Sequence, residues 1–213
     1  MEIVDSKIAA YCQQHTTAES PLLLQLNRDT HAQVLQPRML SGHFQGRFLS
    51  MISHMVRPNC ILEIGTFTGY SALCLAEGLT PDGKLITIDI NEEIESFASK
   101  YLQNSPLKNQ IDFRIGDAAK IIPTLTEVVD LVFIDADKIN YQKYYDLIIN
   151  KVRIGGHILI DNVLWDGKIV NETARDKKTV AIRTFNDYVQ QDPRTENILL
   201  PIRDGIMLAR KLT

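Results

Sequence analysis

Val132-Phe133-Ile134-Asp135-Ala136-Asp137-Lys138 decides the reading of the fold, taken together with Ile158-Leu159-Ile160-Asp161-Asn162 further along. Each is a short apolar run, the pattern of a strand buried on both faces of a parallel sheet. Both runs stop abruptly in carboxylates or amides. In an open α/β sheet, ligands bind outside the carboxyl ends of the strands, so two adjoining strands of this kind would carry Asp135, Asp161 and Asn162 to one rim. Any one of these residues alone is an ordinary turn former or helix cap. Together they make three oxygen donors with no Cys or His nearby, a set suited to a hard cation such as Mg2+, Ca2+ or Mn2+. Lys138 stands one short turn beyond the first donor, and the combination predicts a metal-assisted transfer site.

The flanking sequence supplies the sheet. Upstream, the apolar stretches at 60–64, 84–90 and 111–115 alternate with helical patterns at 70–79, 92–102 and 120–125. The strand at 129–134 follows, then a helix at 141–149, a Gly155-Gly156 turn and a strand at 157–160. Such alternation implies right-handed crossovers and a Rossmann-like, doubly wound, mostly parallel sheet. Three helices at 3–14, 19–35 and 45–56 precede it as a cap, the second entered at Ser20-Pro21 and stopped at Pro37. The polar stretch 165–178 reads as a mobile loop over the rim, followed by a helix at 179–191. Arg203-Asp204-Gly205 between apolar runs at 197–201 and 206–211 signals a closing antiparallel hairpin. The reading is one α/β domain over 1–213, with a helical cap at 1–57 and a core at 58–213.

Composition narrows the class. The 213 residues are 45% hydrophobic and 23% charged, with a formal charge of −3, an ordinary globular balance that leans against a polyanion-binding surface. Cys12, Cys60 and Cys74 are too scattered for a disulfide framework or a zinc site, and the last two read as small buried hydrophobes. The acidic start lacks the pattern of a signal peptide, and no apolar run reaches membrane-helix length. A cytoplasmic protein with no membrane association is expected.

The second reactant is written between the first strand and its helix: Glu63-Ile64-Gly65-Thr66-Phe67-Thr68-Gly69-Tyr70-Ser71. The glycines permit a sharp turn and close approach of a ligand to a helix start, where free N–H groups favour an anion. The Gly-x-x-x-Gly spacing is neither the dinucleotide fingerprint nor a P-loop, so a carboxylate fits as well as a phosphate. Glu63, an acid at an apolar strand end, suits a cationic amine. Asp89, before Ile90 at the end of the second strand, stands where an acid meets a ribose diol. Gly116-Asp117-Ala118 offers small residues to a flat base. Amine, carboxylate, ribose and base together describe S-adenosylmethionine.

These stretches, with Asp161-Asn162-Val163-Leu164-Trp165 and Asp204-Gly205, resemble the cation-dependent O-methyltransferases, among them catechol and caffeoyl-CoA O-methyltransferases. The resemblance runs from Met39 onward. It implies that Asp135, Asp161 and Asn162 hold a divalent metal and that Lys138 is the catalytic base, acting beside Asp135. It implies S-adenosylmethionine contacts from Glu63, Gly65, Thr66, Ser71, Asp89, Ile90, Gly116, Asp117, Ala118 and Asp135, with the Ser41 backbone at the methionine end. Trp165 matches a position beside the acceptor, as does Lys138. A homodimer is implied as well. Gly42-His43-Phe44-Gln45 departs from the more acidic stretch of the plant enzymes, whose longer N-terminal extension is also missing, so recognition of a coenzyme A ester is not expected.

The expected activity is therefore metal-dependent methylation of one hydroxyl of a catechol-like small molecule. Bacterial relatives that methylate a hydroxylated uridine in tRNA give the alternative. Arg28, Arg38, Arg47 and Arg57 would then have to form the basic patch. A non-catalytic S-adenosylmethionine-binding protein is the third reading, and the intact donor set with Lys138 argues against it. His15, His31, His54 and His157 read as structural, and His43 is the exception in that it lies in the loop expected to face the cofactor.

Overall fold

In the computed structural model, which describes residues 4–213, the chain builds a seven-stranded sheet with helices on both faces. Its elements in order are α1 (Ser6–Gln14), α2 (Pro21–Gln33), α3 (Gly42–Val56), β1 (Cys60–Ile64), α4 (Tyr70–Ala76), β2 (Lys84–Asp89), α5 (Glu95–Gln103) and β3 (Ile111–Ile115). They continue as α6 (Ala118–Ile121), β4 (Val129–Ile134), α7 (Tyr141–Ile149), β5 (Val152–Asp161), α8 (Lys177–Gln191), β6 (Thr195–Leu200) and β7 (Ile206–Lys211). The strand order is β3-β2-β1-β4-β5-β7-β6, the first five parallel and β7 antiparallel to both of its neighbours, β5 and β6. The doubly wound sheet and the closing hairpin read from sequence are both present. The order reverses between β1 and β4, which opens a crevice at their carboxyl ends.

Side-chain alternation divides the core. Leu62, Ile64, Val132, Ile134, Ile158 and Ile160 face Tyr141, Tyr145, Ile148, Phe185 and Val189 on the α6–α7–α8 side. Ile61, Leu131, Phe133 and Leu159 face Leu23, Leu26, Leu49, Tyr70 and Leu75 on the other. Because the side-chain period is two, Glu63, Asp135 and Asp161 belong to this second face, the one covered by α2, α3 and α4. The register sets Phe133 beside both Glu63 and Leu159, and Ile134 beside Ile160. Asp135 and Asp161 therefore leave adjoining strand tips at the same level.

Several sequence expectations need correction. Gly155-Gly156 is not a turn before the strand but lies inside β5, where the β4–β5 register slips between Val129 and Leu131. Gly155 has φ +76, and a Cβ on Gly156 would meet the Asp130 carbonyl at 3.1 Å, so the pair forms a bulge rather than an end. The third helix begins at Gly42 rather than 45. The stretch 165–178 is fastened rather than loose: Arg183 of α8 donates to the carbonyls of Ile169, Ala174, Lys168 and Asn171 at 2.5–2.9 Å. The expected start of the first helix at residue 3 lies outside the described residues. No described helix is long and apolar enough to cross a membrane.

Candidate active site

The turn from β1 into α4 forms one half of the crevice. Gly65 has φ +101, and a Cβ there would come within 1.9 Å of the Asp135 carbonyl oxygen. Only glycine lets the tips of β1 and β4 approach this closely. Gly65 N donates to Ile88 O and Asp135 N to Ile64 O, each at 2.9 Å, which ties the ends of β2, β1 and β4 together. Asp89 accepts from the Phe67 amide at 2.7 Å and the Asn91 amide at 2.9 Å, so it also anchors the glycine turn.

Glu63 is wholly buried. Its Oε2 accepts from Thr87, its cross-strand neighbour, at 2.5 Å, and Thr87 Oγ1 also lies 2.5 Å from Thr66 Oγ1. Glu63 Oε1 has no hydrogen-bond partner among the described residues. Burial pushes this carboxyl up to about 8; the Ser71 hydroxyl nearby, which makes no hydrogen bond to Oε1, and the Thr87 hydroxyl on Oε2 offset this only in part, and the Asp135 and Asp89 charges add to the rise. A buried acid with one free oxygen is a receptor for a cation. At the crevice's far end, Ala118 is buried, Asp117 caps α6 by accepting from Ala119 N at 2.9 Å, and Ile90 is 73% exposed. Ser41 is buried, and its carbonyl accepts from Arg203.

The second half sits at the tips of β4 and β5. Lys138 is nearly buried and donates to Asp135 Oδ1 at 2.9 Å and to the Tyr141 hydroxyl at 2.6 Å. Tyr141 in turn donates to the Asp161 carbonyl at 2.9 Å, and burial keeps its hydroxyl protonated. Asp161 is buried and accepts from Gln45 Nε2 at 2.5 Å and from the Asn162 amide at 2.7 Å. Burial, and next the Asp135 charge, raise its pKa. Asn162 has φ +58, in the left-handed region. Beside it Asp204, in the β6–β7 turn, is half-buried and also raised by burial. Among the described residues no three His, Cys, Asp or Glu side chains form a metal cage; the set nominated from sequence is two carboxylates and an amide.

The sequence-nominated residues thus fall into two neighbouring groups on one rim. Trp165 lies beyond β5 at φ +48 with its indole N–H buried and without a partner among the described residues, and Lys178 Nζ stands 5.7 Å from its ring centroid. His43 is engaged within the cap. It sits in α3, and its Nε2–H donates to the Thr17 carbonyl at 2.7 Å, so it binds the cap together. Sequence reasoning missed Gln45, Tyr141 and Arg203. Tyr141 was within reach, since Lys138 and Tyr141 are one turn apart; the other two depend on contacts between distant segments.

A crevice at the β1–β4 switch point, lined by a glycine turn, a buried acid with one oxygen unpartnered among the described residues and a strand-end acid, defines the class of nucleoside-cofactor α/β transferases. Comparison narrows it. The O-methyltransferase family profile matches residues 13–212. The chain is 36% identical over 187 residues to caffeoyl-CoA O-methyltransferase 1 of Eucalyptus globulus, covering 82% of this chain and 76% of that one. Among solved structures, the O-methyltransferase from Bacillus cereus in complex with SAH superposes with a TM-score of 0.88 at 27% identity, covering 96% and 97% of the two chains. TomG of Streptomyces achromogenes, an O-methyltransferase of tomaymycin synthesis in complex with SAM, gives 0.87 at 26%, covering 97% and 96%. The chain belongs to the cation-dependent O-methyltransferase family and is an S-adenosylmethionine-dependent O-methyltransferase.

Proposed function

We propose that the chain methylates one hydroxyl of a small vicinal-dihydroxy aromatic, with a divalent cation held by Asp135, Asp161 and Asn162. The observation that carries this reading is the pairing of a buried and a half-buried carboxylate, Asp161 and Asp135, at the tips of adjoining strands, with Lys138 between Asp135 and Tyr141. Two like charges this close, one of them desolvated, fit a dication that would offset both. The unpartnered Glu63 oxygen fits the ammonium of S-adenosylmethionine in the same way. Its ribose would meet Asp89, and its base would lie between Ile90 and Ala118.

Bound at the rim, the cation would act as a Lewis acid favouring the ionised form of an acceptor hydroxyl. S-adenosylmethionine supplies a methyl group on a sulfonium, ready for in-line displacement. The protein's own residues position these partners. Tyr141, donating to the Asp161 carbonyl, aims its hydroxyl lone pair at Lys138 and so fixes the direction of Nζ. Lys138 Nζ is then the group placed to take the acceptor's proton. Trp165 would wall the acceptor on the open side. Most of the acceleration would come from holding both reactants in register. A caffeoyl group, named in the relatives, is itself a vicinal-dihydroxy aromatic.

The test is methyl transfer from labelled donor to a catechol panel and, in parallel, to unmodified total RNA, each with and without EDTA. Label in a catechol, lost with chelator and restored by Mg2+, is the expected result. Turnover unaffected by chelation would remove the cation from the reading, and label in RNA alone would remove the small aromatic.

A further inference from the structure

Gln45 reaches from α3 across 116 positions of sequence to a rim carboxylate, and its amide is held at both ends. Nε2 donates to Asp161 Oδ2 at 2.5 Å, while Oε1 accepts from Arg203 Nη1 at 3.0 Å. Both ends are chemically forced. An ionised Asp can only accept and Arg can only donate, so the amide has one orientation that satisfies both. A Glu at 45 would set a carboxylate against Asp161, and a Lys would set an ammonium against Arg203. Of the side chains of this length, Gln alone offers a donor to one neighbour and an acceptor to the other. Arg203 Nη1 also donates to the carbonyls of Leu40, at 3.1 Å, and of Ser41, so the turn before β7 holds the start of α3 in place.

Resting on the cation reading above, we propose that Gln45 is a positioning residue: with Arg203 behind it, it fixes the rotation of the Asp161 carboxylate at the cation site. Asp161 Oδ1 already accepts from the Asn162 amide at 2.7 Å. With Gln45 on Oδ2, each oxygen is oriented by one protein donor and keeps a lone pair for the ligand. Second-layer partners of this kind typically carry about 10–100-fold of a metal site's affinity. The relay also joins two regions nominated for different ligands, because Arg203 touches the Ser41 carbonyl as well as Gln45. Positioning of the carboxylate therefore depends on the cap being seated.

The experiment is a double-mutant cycle read as Mn2+ affinity, from the electron paramagnetic resonance of free Mn2+, on the full chain without acceptor. Gln45→Met is nearly isosteric and removes both polar ends; Arg203→Met leaves Gln45 but frees its orientation. Thermal unfolding confirms that each variant folds, and should Gln45→Met fail to fold, Arg203→Met alone carries the test. Expected are a loss of about tenfold or more for Gln45→Met, a smaller loss for Arg203→Met, and a double variant no weaker than Gln45→Met. That non-additivity shows the two residues acting as one unit on the site, and weakened Mn2+ binding at an unchanged unfolding temperature is what a purely structural role would not produce. Binding within twofold of wild type in Gln45→Met, or strictly additive losses, overturns the positioning role while leaving the cation site standing. Wild type that binds no Mn2+ overturns both.

Discussion

Replacing Glu63 by Gln separates the acid's role in binding from its cost to folding. Burial holds the carboxyl at about 8 against an ordinary 4.5. Between those two values the folded state keeps a proton that the unfolded state has lost. The folded state binds more protons there, so stability falls as pH rises from about 4.5 towards about 8. Over the 2.5 units from pH 5 to pH 7.5, this one group accounts for a decline of roughly 3 kcal/mol at 1.36 kcal/mol per unit. A side-chain amide in its place cannot ionise, so that slope disappears in Glu63→Gln. The amide N–H would replace the oxygen that lacks a partner, which costs about 1–3 kcal/mol at every pH and leaves the slope as the clean readout.

Ligand binding runs the other way. An ammonium prefers the ionised carboxylate, so the wild-type apparent Kd for S-adenosylhomocysteine, which keeps the amino-acid end, should fall as pH rises. With a carboxyl titrating near 8, the ionised fraction grows about twentyfold between pH 6 and pH 7.5, and affinity follows it. Glu63→Gln should bind about 10–100-fold more weakly at pH 7.5, the worth of a charge-assisted hydrogen bond of about 1.5–3 kcal/mol, and should show a flat pH profile. The assays are calorimetric titration and urea unfolding of the same two proteins from pH 5 to pH 7.5. A pH-independent wild-type affinity, or an unfolding slope that survives in Glu63→Gln, would refute this account of the acid.

Three further outcomes follow from the geometry. Gly65→Ala puts a Cβ at φ +101 and 1.9 Å from the Asp135 carbonyl, so a loss of at least ~2 kcal/mol is expected in denaturant unfolding, together with lost cofactor binding. Tyr141→Phe leaves Lys138 Nζ and the Asp161 carbonyl each short of one buried partner; kcat should drop with the Kd for cofactor little changed, and stability should fall by about 1–3 kcal/mol. Arg183→Ala releases four carbonyls of the stretch after β5, so limited proteolysis should cut within 168–174 faster than in wild type, and KM for the acceptor should rise more than KM for the methyl donor.

The strands were legible because most are apolar runs closed by a turn residue, and a parallel, doubly wound sheet follows from the strand–helix alternation, although the order of its strands does not. The same simplicity explains why Glu63, Asp135 and Asp161 could be nominated: an acid ending an apolar run is conspicuous in one dimension. Their common face was also implied, since 63, 135 and 161 continue the parity of Ile61, Phe133 and Leu159. Illegible were the groups whose meaning lies in a meeting of distant segments. Gln45 reads as an ordinary polar residue on a helix until the cap is laid over the β5 tip, and Arg203 reads as a turn residue until that turn reaches the start of α3. Gly155-Gly156 misled for a related reason: two glycines mark either a chain reversal or a bulge, and only the slipped β4–β5 register distinguishes them. The stretch after Trp165 looked mobile because its polarity was visible and the guanidinium that pins it, in a helix further along, was not. Sequence parity therefore locates the acids on the rim. The contacts that orient them come from the cap and from the hairpin turn, elements whose apolar faces predict that they pack but not where they land.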